Sequence, residues 1–187
     1  MDLILLQPGD PEALGGHADP ALAERLAGGG WEDSVIDPAR CIALLSVQQG
    51  MKLSLATDIS TSARTVGRPS LTEFTCSKQV DQTSARLYDL CLRARPLGEG
   101  PDKPTYVCVM RGAEGAAAPL MVYALRDTLI SEIELQTHPD GGPTEQFKLN
   151  FTEILWSHTV PATQGKPYII AGWSLARNRP IGAFTRG

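Results

Sequence analysis

At 187 residues the chain has room for one sizeable core and little for two, and its formal net charge of −4 excludes general nucleic-acid binding, which needs a basic face to displace phosphate counterions. With 42% hydrophobic and 20% charged residues the composition is that of a folded globular protein, not of a disordered one. No stretch approaches the roughly 20 apolar residues of a membrane helix, so membrane insertion by helices is not expected.

The N-terminus is apolar for only four residues and carries Asp2 where a signal peptide needs a basic flank. The chain is therefore expected to be made in the cytoplasm, with any export by a route that uses no cleavable signal. Residues 3–6 read as a first strand, ended by Pro8 and Gly9. Residues 9–40, rich in Gly, Pro, Ala and Asp, read as a long, partly flexible loop with one short helical segment at 20–27, stopped by Gly28, Gly29 and Gly30. Three glycines in a row can cradle phosphate, but no Lys-Ser/Thr pair follows them, and a linker is the better reading. Residues 41–55 return to strand character: Leu45, Val47, Met51, Leu53 and Leu55 share one parity, and Gly50 marks a bulge or sharp bend. Residues 58–70 are polar and β-poor, which makes them an exposed loop centred on Arg64, Gly67, Arg68 and Pro69. A weaker alternation follows over residues 71–80.

Asp81, Gln82, Thr83 and Ser84 open a helix. Asp81, Thr83 or Ser84 can cap its free amides, and Leu87, Leu90 and Cys91 fall on one face. Arg93 and Arg95 suit its last turn and Pro96 ends it, so a short amphipathic helix should lie against the edge or end of the β structure. Residues 106–111 are strand-like, 112–119 a loop, and 120–135 long enough to bend or to form two strands. A turn at 138–143, with Asp-Gly and flanking prolines, delivers the chain into residues 145–158 as a hairpin.

That last stretch organises the rest. Phe147, Leu149 and Phe151 alternate with Gln146, Lys148 and Asn150, then the phase slips, because Ile154 and Trp156 sit at even numbers. A one-residue slip turns the later side chains to the opposite face unless the backbone bulges or bends near Thr152 and Glu153. Residues 168–175 make a last strand, in which Ala171 and Gly172 permit close backbone approach. The sum is roughly eight or nine strands with one helix: a mainly β chain, sandwich or barrel, in a single domain spanning 1–187.

Catalytic residues do not emerge from this pattern. No G-x-S-x-G elbow is present, and His17, His138 and His158 fall in a Gly-rich loop, a turn and a strand end with no spacing suited to one metal ion. Cys41, Cys76, Cys91 and Cys108 are scattered, without a C-x-x-C pair, and read as buried reduced thiols. Glu132 and Glu134 share a strand face, more simply an acidic stripe on a solvated sheet than an acid–base pair. Asn150 to Thr152 matches a glycosylation sequon that a chain without a secretory signal has no occasion to use. Trp31, Trp156 and Trp173 could stack on a ligand, but Trp156 and Trp173 lie in strand patterns and suit core or interface packing. No cofactor and no metal are expected.

At residues 149–156, Leu-Asn-Phe-Thr-Glu-Ile-Leu-Trp, followed by 171–178, Ala-Gly-Trp-Ser-Leu-Ala-Arg-Asn, the chain resembles the haemolysin-coregulated protein (Hcp) family of type VI secretion. Three further segments fit in the same order: 45–50, Leu-Ser-Val-Gln-Gln-Gly; 58–60 running into 64–69, Arg-Thr-Val-Gly-Arg-Pro; and 74–81, Phe-Thr-Cys-Ser-Lys-Gln-Val-Asp. The resemblance covers about residues 41–181. It implies a β-barrel of two antiparallel sheets with a flanking helix, and homohexameric rings that stack into a hollow tube exported by a contractile sheath. Implied partners are further copies of the chain, the sheath, a spike protein and small effectors held in the lumen. By the same resemblance the segment with Arg64, Thr65, Gly67, Arg68 and Pro69 reaches a neighbouring subunit, while Phe147, Leu149, Phe151, Ile154, Trp156, Gly172 and Trp173 form the fold motif. The chain departs from the family in its longer Gly/Ala-rich region at 9–40, in Gly15-Gly16-His17 where a Gly-Glu-Ser type motif is usual, and in Leu155 where a charge is common. Its end at Gly187 leads us to expect no fused C-terminal toxin domain. The rival readings are a small barrel enzyme or sugar-binding sandwich, monomeric or dimeric with a concave pocket, and a ring-forming adaptor that does not polymerise.

Overall fold

The computed structural model describes residues 3–16, 22, 24, 26, 35–58, 63–111, 118–137, 141–159 and 167–186. Among these residues thirteen strands form, more than the eight or nine expected, because several expected strands divide at bends. They are β1 (Leu3–Gln7), β2 (Ile42–Leu44), β3 (Ser46–Gln48), β4 (Met51–Asp58), β5 (Ala63–Leu71), β6 (Phe74–Gln79), β7 (Thr105–Arg111), β8 (Ala118–Arg126), β9 (Leu129–Gln136), β10 (Thr144–Asn150), β11 (Glu153–Thr159), β12 (Pro167–Ser174) and β13 (Arg179–Pro180). Helix α1 (Ser84–Leu92) stands between β6 and β7.

A seven-stranded sheet in the order β13-β12-β11-β8-β7-β1-β2 lies beside a four-stranded sheet in the order β3-β6-β10-β9, and β4 and β5 form a separate two-stranded ribbon. Among the described residues all the strand pairings are antiparallel, and neither sheet closes on itself. The chain instead passes between the sheets at three corners: Leu45, whose amide donates to Ser77 at 2.8 Å; Asp127–Thr128, between β8 and β9; and Phe151–Thr152, between β10 and β11. The last corner explains the phase slip read in the sequence. A strand that changes sheets must reverse its inward parity to keep facing the same core, so Phe147, Leu149, Phe151 and Ile154 are all buried in one cluster despite the change of number parity. Phe74, Leu87, Leu90, Val107 and Leu125 belong to the same cluster. At the second corner Asp127 takes a left-handed backbone (φ 51°). Its carboxylate accepts from the Gly100 amide and the Thr152 hydroxyl, each at 2.8 Å.

Helix α1 buries Leu87 and Leu90, leaves Cys91 half-buried and packs against β9, the edge of the four-stranded sheet. Thr83 stands at the helix start and its side chain caps no helix amide, so the expected side-chain cap is replaced by bonds that brace the turn just before the helix. The Ser84 hydroxyl accepts the Asp81 amide at 3.0 Å, and Asp81 accepts the amide and hydroxyl of Thr83 at 2.7 and 2.6 Å.

At several of its described positions the segment 9–40 packs against the seven-stranded sheet. Leu22, Glu24 and Leu26 are helical, as the sequence suggested for 20–27. Leu22 and Leu26, four apart and so on one face, bury with Ile36 and Cys41 over Leu5, Cys108 and Met110 on the outer side of the seven-stranded sheet. Gln7 fastens the segment: its amide donates to the Val35 carbonyl at 3.1 Å and its carbonyl accepts from the Asp37 amide at 2.6 Å. Burial pushes the thiols of Cys41, Cys76 and Cys108 up to about 12, and all four cysteines are free thiols. The Gly-rich stretch 28–30, Trp31, His17 and His138 lie outside the described residues.

The C-terminal tail is pinned to the third corner. Both carboxylate oxygens of buried Glu153 accept from Thr185, the amide at 2.9 Å and the hydroxyl at 2.7 Å, while Arg126 donates to the Thr185 carbonyl at 2.7 Å. Burial alone would raise the Glu153 carboxyl, but the bonds from Thr185, Arg126 and Ser174 hold it below the ordinary glutamate range. A depressed carboxyl stabilises the fold fully above its unfolded value, near 4.3, and loses that contribution as pH falls through its folded value. The protection of amides in residues 181–186, relative to their intrinsic exchange, is therefore expected to fall selectively as pH drops through the folded value of Glu153. In Glu153→Gln the tail should already be loose at neutral pH, at a cost of about 1–3 kcal/mol.

Candidate subunit interface

The segment expected to be a polar loop is a strand. Arg64, Thr65, Gly67, Arg68 and Pro69 all lie in β5, hydrogen-bonded to β4, and no third strand joins the ribbon among the described residues. The register is Met51 to Leu71, Lys52 to Ser70, Leu53 to Pro69, Leu55 to Val66, Ala56 to Thr65 and Thr57 to Arg64. Between Leu53 and Leu55 it shifts by one residue, so Gly67 and Arg68 together oppose Ser54. This is a β-bulge, and glycine suits it: a Cβ at Gly67 would sit 3.1 Å from the Ser54 Cβ and 3.2 Å from its carbonyl oxygen. Pro69 is tolerated because a strand at a free edge can spare a donor.

The pairs set directly across the ribbon give it one apolar face, Met51 with Leu71, Leu53 with Pro69 and Leu55 with Val66. Most of that face is open to solvent, with Met51 53% exposed, Leu53 46%, Leu55 55% and Val66 59%, while Pro69 and Leu71 are half-buried and Leu71 packs against the main core. The parity shared by Met51, Leu53 and Leu55 is thus real, but it faces outward and not into the core. Thr65, Gly67 and Arg68 are exposed and Pro69 half-buried; the Arg64 side chain lies outside the described residues. An isolated two-stranded ribbon is marginal in water, and a long apolar edge strand attracts another chain.

Thr72 and Gly50 clasp the root of the ribbon. The Gly50 amide donates to the Thr72 hydroxyl at 2.8 Å, the Thr72 amide to the Gly50 carbonyl at 2.9 Å, and the Gln49 side-chain amide to the same carbonyl at 2.9 Å. Just beyond the root, Trp156 and Trp173 come together. Ile154 pairs with Trp173 and Trp156 with Ala171, which places the two indoles diagonally on one face. With Met51, Lys52, Leu53, Pro69 and Leu71 they line a cleft of about 280 Å³. They are partly buried against the main core.

Opposite in character is the outer face of the four-stranded sheet. Lys148 pairs with Glu132 at 2.8 Å, Glu73 accepts from Asn150 at 2.7 Å and from Ser131 at 2.9 Å, and the Ser46 and Ser77 hydroxyls lie 2.7 Å apart. Its hydrogen bond to Glu132 holds the Lys148 ammonium above its ordinary range. Glu134 is exposed on the same strand face. Asn150, of the sequon, is spent on Glu73.

Sequence reasoning missed Lys78 and Glu145. Both are fully buried, and the Lys78 ammonium bonds Glu145 at 2.7 Å, the Gln79 carbonyl at 2.8 Å and the Ser84 hydroxyl at 3.2 Å, while pairing with Asp81 at 2.9 Å. Ser84 also donates to Glu145 at 2.9 Å. Burial would raise the Asp81 carboxyl, but the Thr83 and Lys78 contacts hold it below its ordinary range. The signal was in the parity: Lys78 continues Phe74 and Cys76, and Glu145 precedes Phe147 and Leu149, on inward-facing positions. Among the described residues no three His, Cys, Asp or Glu side chains converge as a metal-holding group, and no helix is long and apolar enough to cross a membrane. His158 on β11 is set between Met121 of β8 and Ile169 of β12.

A family model described as "Type VI secretion system effector, Hcp" matches residues 37–158, which include the ribbon, α1 and strands as far as β11. Among solved structures, Hcp1 from Salmonella typhimurium is 16% identical with a TM-score of 0.62, over 96% of this chain and 99% of that one. A type six secretion system protein is 15% identical with a TM-score of 0.69, over 97% and 100%. A type VI secretion system effector from Yersinia pestis is 12% identical with a TM-score of 0.58, over 92% and 99%. At these identities the likeness is one of fold. No curated protein matches the sequence directly. The family match spans well over half of the residues, and on that ground the chain belongs to the Hcp family, the tube proteins of type VI secretion.

Proposed function

We propose that this chain, folded as a single domain over 1–187, acts by assembly and not by catalysis, six copies closing into a ring and rings stacking into the inner tube of a type VI apparatus. The two sheets, joined at the Leu45 corner, serve as the flattened barrel of each ring segment. The ribbon carrying Arg64, Thr65, Gly67, Arg68 and Pro69 reaches the neighbouring subunit, and the polar outer face of the four-stranded sheet lines the lumen, where small effectors are carried. The contractile sheath and the spike are the remaining partners, and export follows their movement. One observation carries this reading: the ribbon presents Met51, Leu53, Leu55 and Val66 to water, an apolar face that a lone subunit leaves uncovered. A heterologous patch pair that closes with rotational symmetry covers it in every copy.

Light scattering coupled to size exclusion, with negative-stain images of the same peak, tests the proposal. A sixfold mass with annular particles is the expected result. A single-copy mass without rings across a wide concentration range overturns it. Leu53→Asp combined with Val66→Asp should weaken association at least a hundredfold, about 1.4 kcal/mol for each factor of ten. Because both side chains are exposed in the single copy, its own stability should move by only about 0.5 kcal/mol for each.

A further inference from the structure

A ribbon in search of a cover raises the question of which surface of the next copy receives it, and this inference rests on the ring reading above. The chain has a second uncovered apolar surface of a different shape. Across the outer side of the seven-stranded sheet Tyr106 pairs with Ala124, and Ala124 with Leu155, so that one residue from each of β7, β8 and β11 lies in a row. The row floors a groove of about 400 Å³, with Phe184 of the C-terminal tail as one wall and Asp102 on the rim. Its floor is half-buried and turned away from the core, since the neighbours in sequence, Val107, Leu125 and Ile154, are the ones that point inward.

Other surfaces fit the ribbon less well. On the outer face of the four-stranded sheet, apolar side chains would strip water from the Lys148–Glu132 pair and from Glu73. The Trp156–Trp173 cleft is walled by the ribbon's own Met51, Leu53 and Pro69. Leu45, Leu92 and Leu135 are exposed singly on a corner, on α1 and on β9. Charge points the same way. The ribbon carries Lys52, Arg64 and Arg68 against Asp58, on a chain whose formal net charge is −4, and the groove offers it Asp102. A ribbon strand of eight residues at about 3.3 Å each is long enough to cross the three strands of the floor.

We propose that the apolar face of the ribbon docks in the Tyr106–Ala124–Leu155 groove of a second copy, with Leu53 and Leu55 on the floor and a basic ribbon side chain facing Asp102. Each copy then gives a ribbon at one side and receives one at the other.

The test is Leu53→Cys combined with Ala124→Cys, in a Cys91→Ser background that removes the one half-exposed native thiol. Mild oxidation should give a ladder of disulfide-linked copies on non-reducing gels, absent from either single-cysteine variant. A sixfold mass in solution without that ladder overturns the docking site and leaves the ring standing. A single-copy mass for the unaltered chain overturns both. Should the cysteine variant fail to fold, Asp102→Lys alone should weaken assembly about tenfold. An Asp102→Lys chain that assembles like the unaltered one overturns the docking site.

Discussion

Lys78→Ala should remove about 3–5 kcal/mol of stability, a large share of the roughly 5–15 kcal/mol that holds a domain folded. Glu145 would then be left fully buried with its principal cation gone, its remaining donor being the Ser84 hydroxyl. One consequence separates this from an ordinary core truncation. Replacing both partners, Lys78→Met with Glu145→Leu, removes the buried charges together with the need to solvate them, and should leave the fold about as stable as before, or more so. Urea denaturation of the three chains decides the matter. If the double variant is as unstable as Lys78→Ala, the pair is itself a net source of stability. If Lys78→Ala is mild, Glu145 has water access that its burial denies. The network also holds α1, since Ser84 and Asp81 belong to both the pair and the helix start, and loss of Lys78 should lower helical circular dichroism before global unfolding.

Gly172→Ala is the second large effect. A Cβ there would sit 2.4 Å from the Leu155 Cδ2, 2.7 Å from the Ile154 carbonyl oxygen and 2.9 Å from the Ile181 carbonyl oxygen. The leucine methyl can move aside, but one carbonyl belongs to β11 and the other to the backbone just after β13, so the main chain on both sides must give way. We expect a cost of about 1–3 kcal/mol, read as roughly 2–4 °C of melting temperature for each kcal/mol in a chain of this size. The damage should be local as well: the Ile181 amide bonds the Gly172 carbonyl at 3.0 Å, so the tail should exchange its amides sooner. An unchanged melting temperature would mean that β12 lies farther from its neighbours than the structure places it.

The elements most legible in the sequence were those whose two faces differ. β10 alternates cleanly because one side packs on the core and the other meets water, and α1 announced itself through Leu87 and Leu90 together with its polar start. The phase slip at Thr152–Glu153 was legible as a bend, although its reason, a change of sheet, depends on partners far away in the chain. The ribbon's second strand was not legible. Arg64, Thr65, Gly67, Arg68 and Pro69 have nothing to alternate against, because both faces of β5 meet solvent in a single copy, and glycine and proline there read as punctuation when they serve a bulge and a free edge. Lys78 and Glu145 were hidden by the assumption that a charge marks a wet face. Leu53 and Leu55 gave a correct strand signal, but one sequence does not distinguish hydrophobics packed in the core from those kept for a neighbour.

β1 makes its pairings with strands of very different age on the ribosome. It meets β2 some 40 residues after it is made and β7 only about 100 residues after, and the seven-stranded sheet is unfinished until β12 and β13 have followed. At about 5–20 residues per second, β1 waits roughly 5–20 s for β7. The ribbon, whose strands are joined by a short connection, can pair long before that. Each newly made chain therefore displays its stickiest feature before the groove-bearing sheet is complete. During synthesis on a polysome the emerging copies are at risk of associating out of order, and a holding chaperone that covers residues 51–71 until β11 emerges would raise the yield of correctly closed subunits.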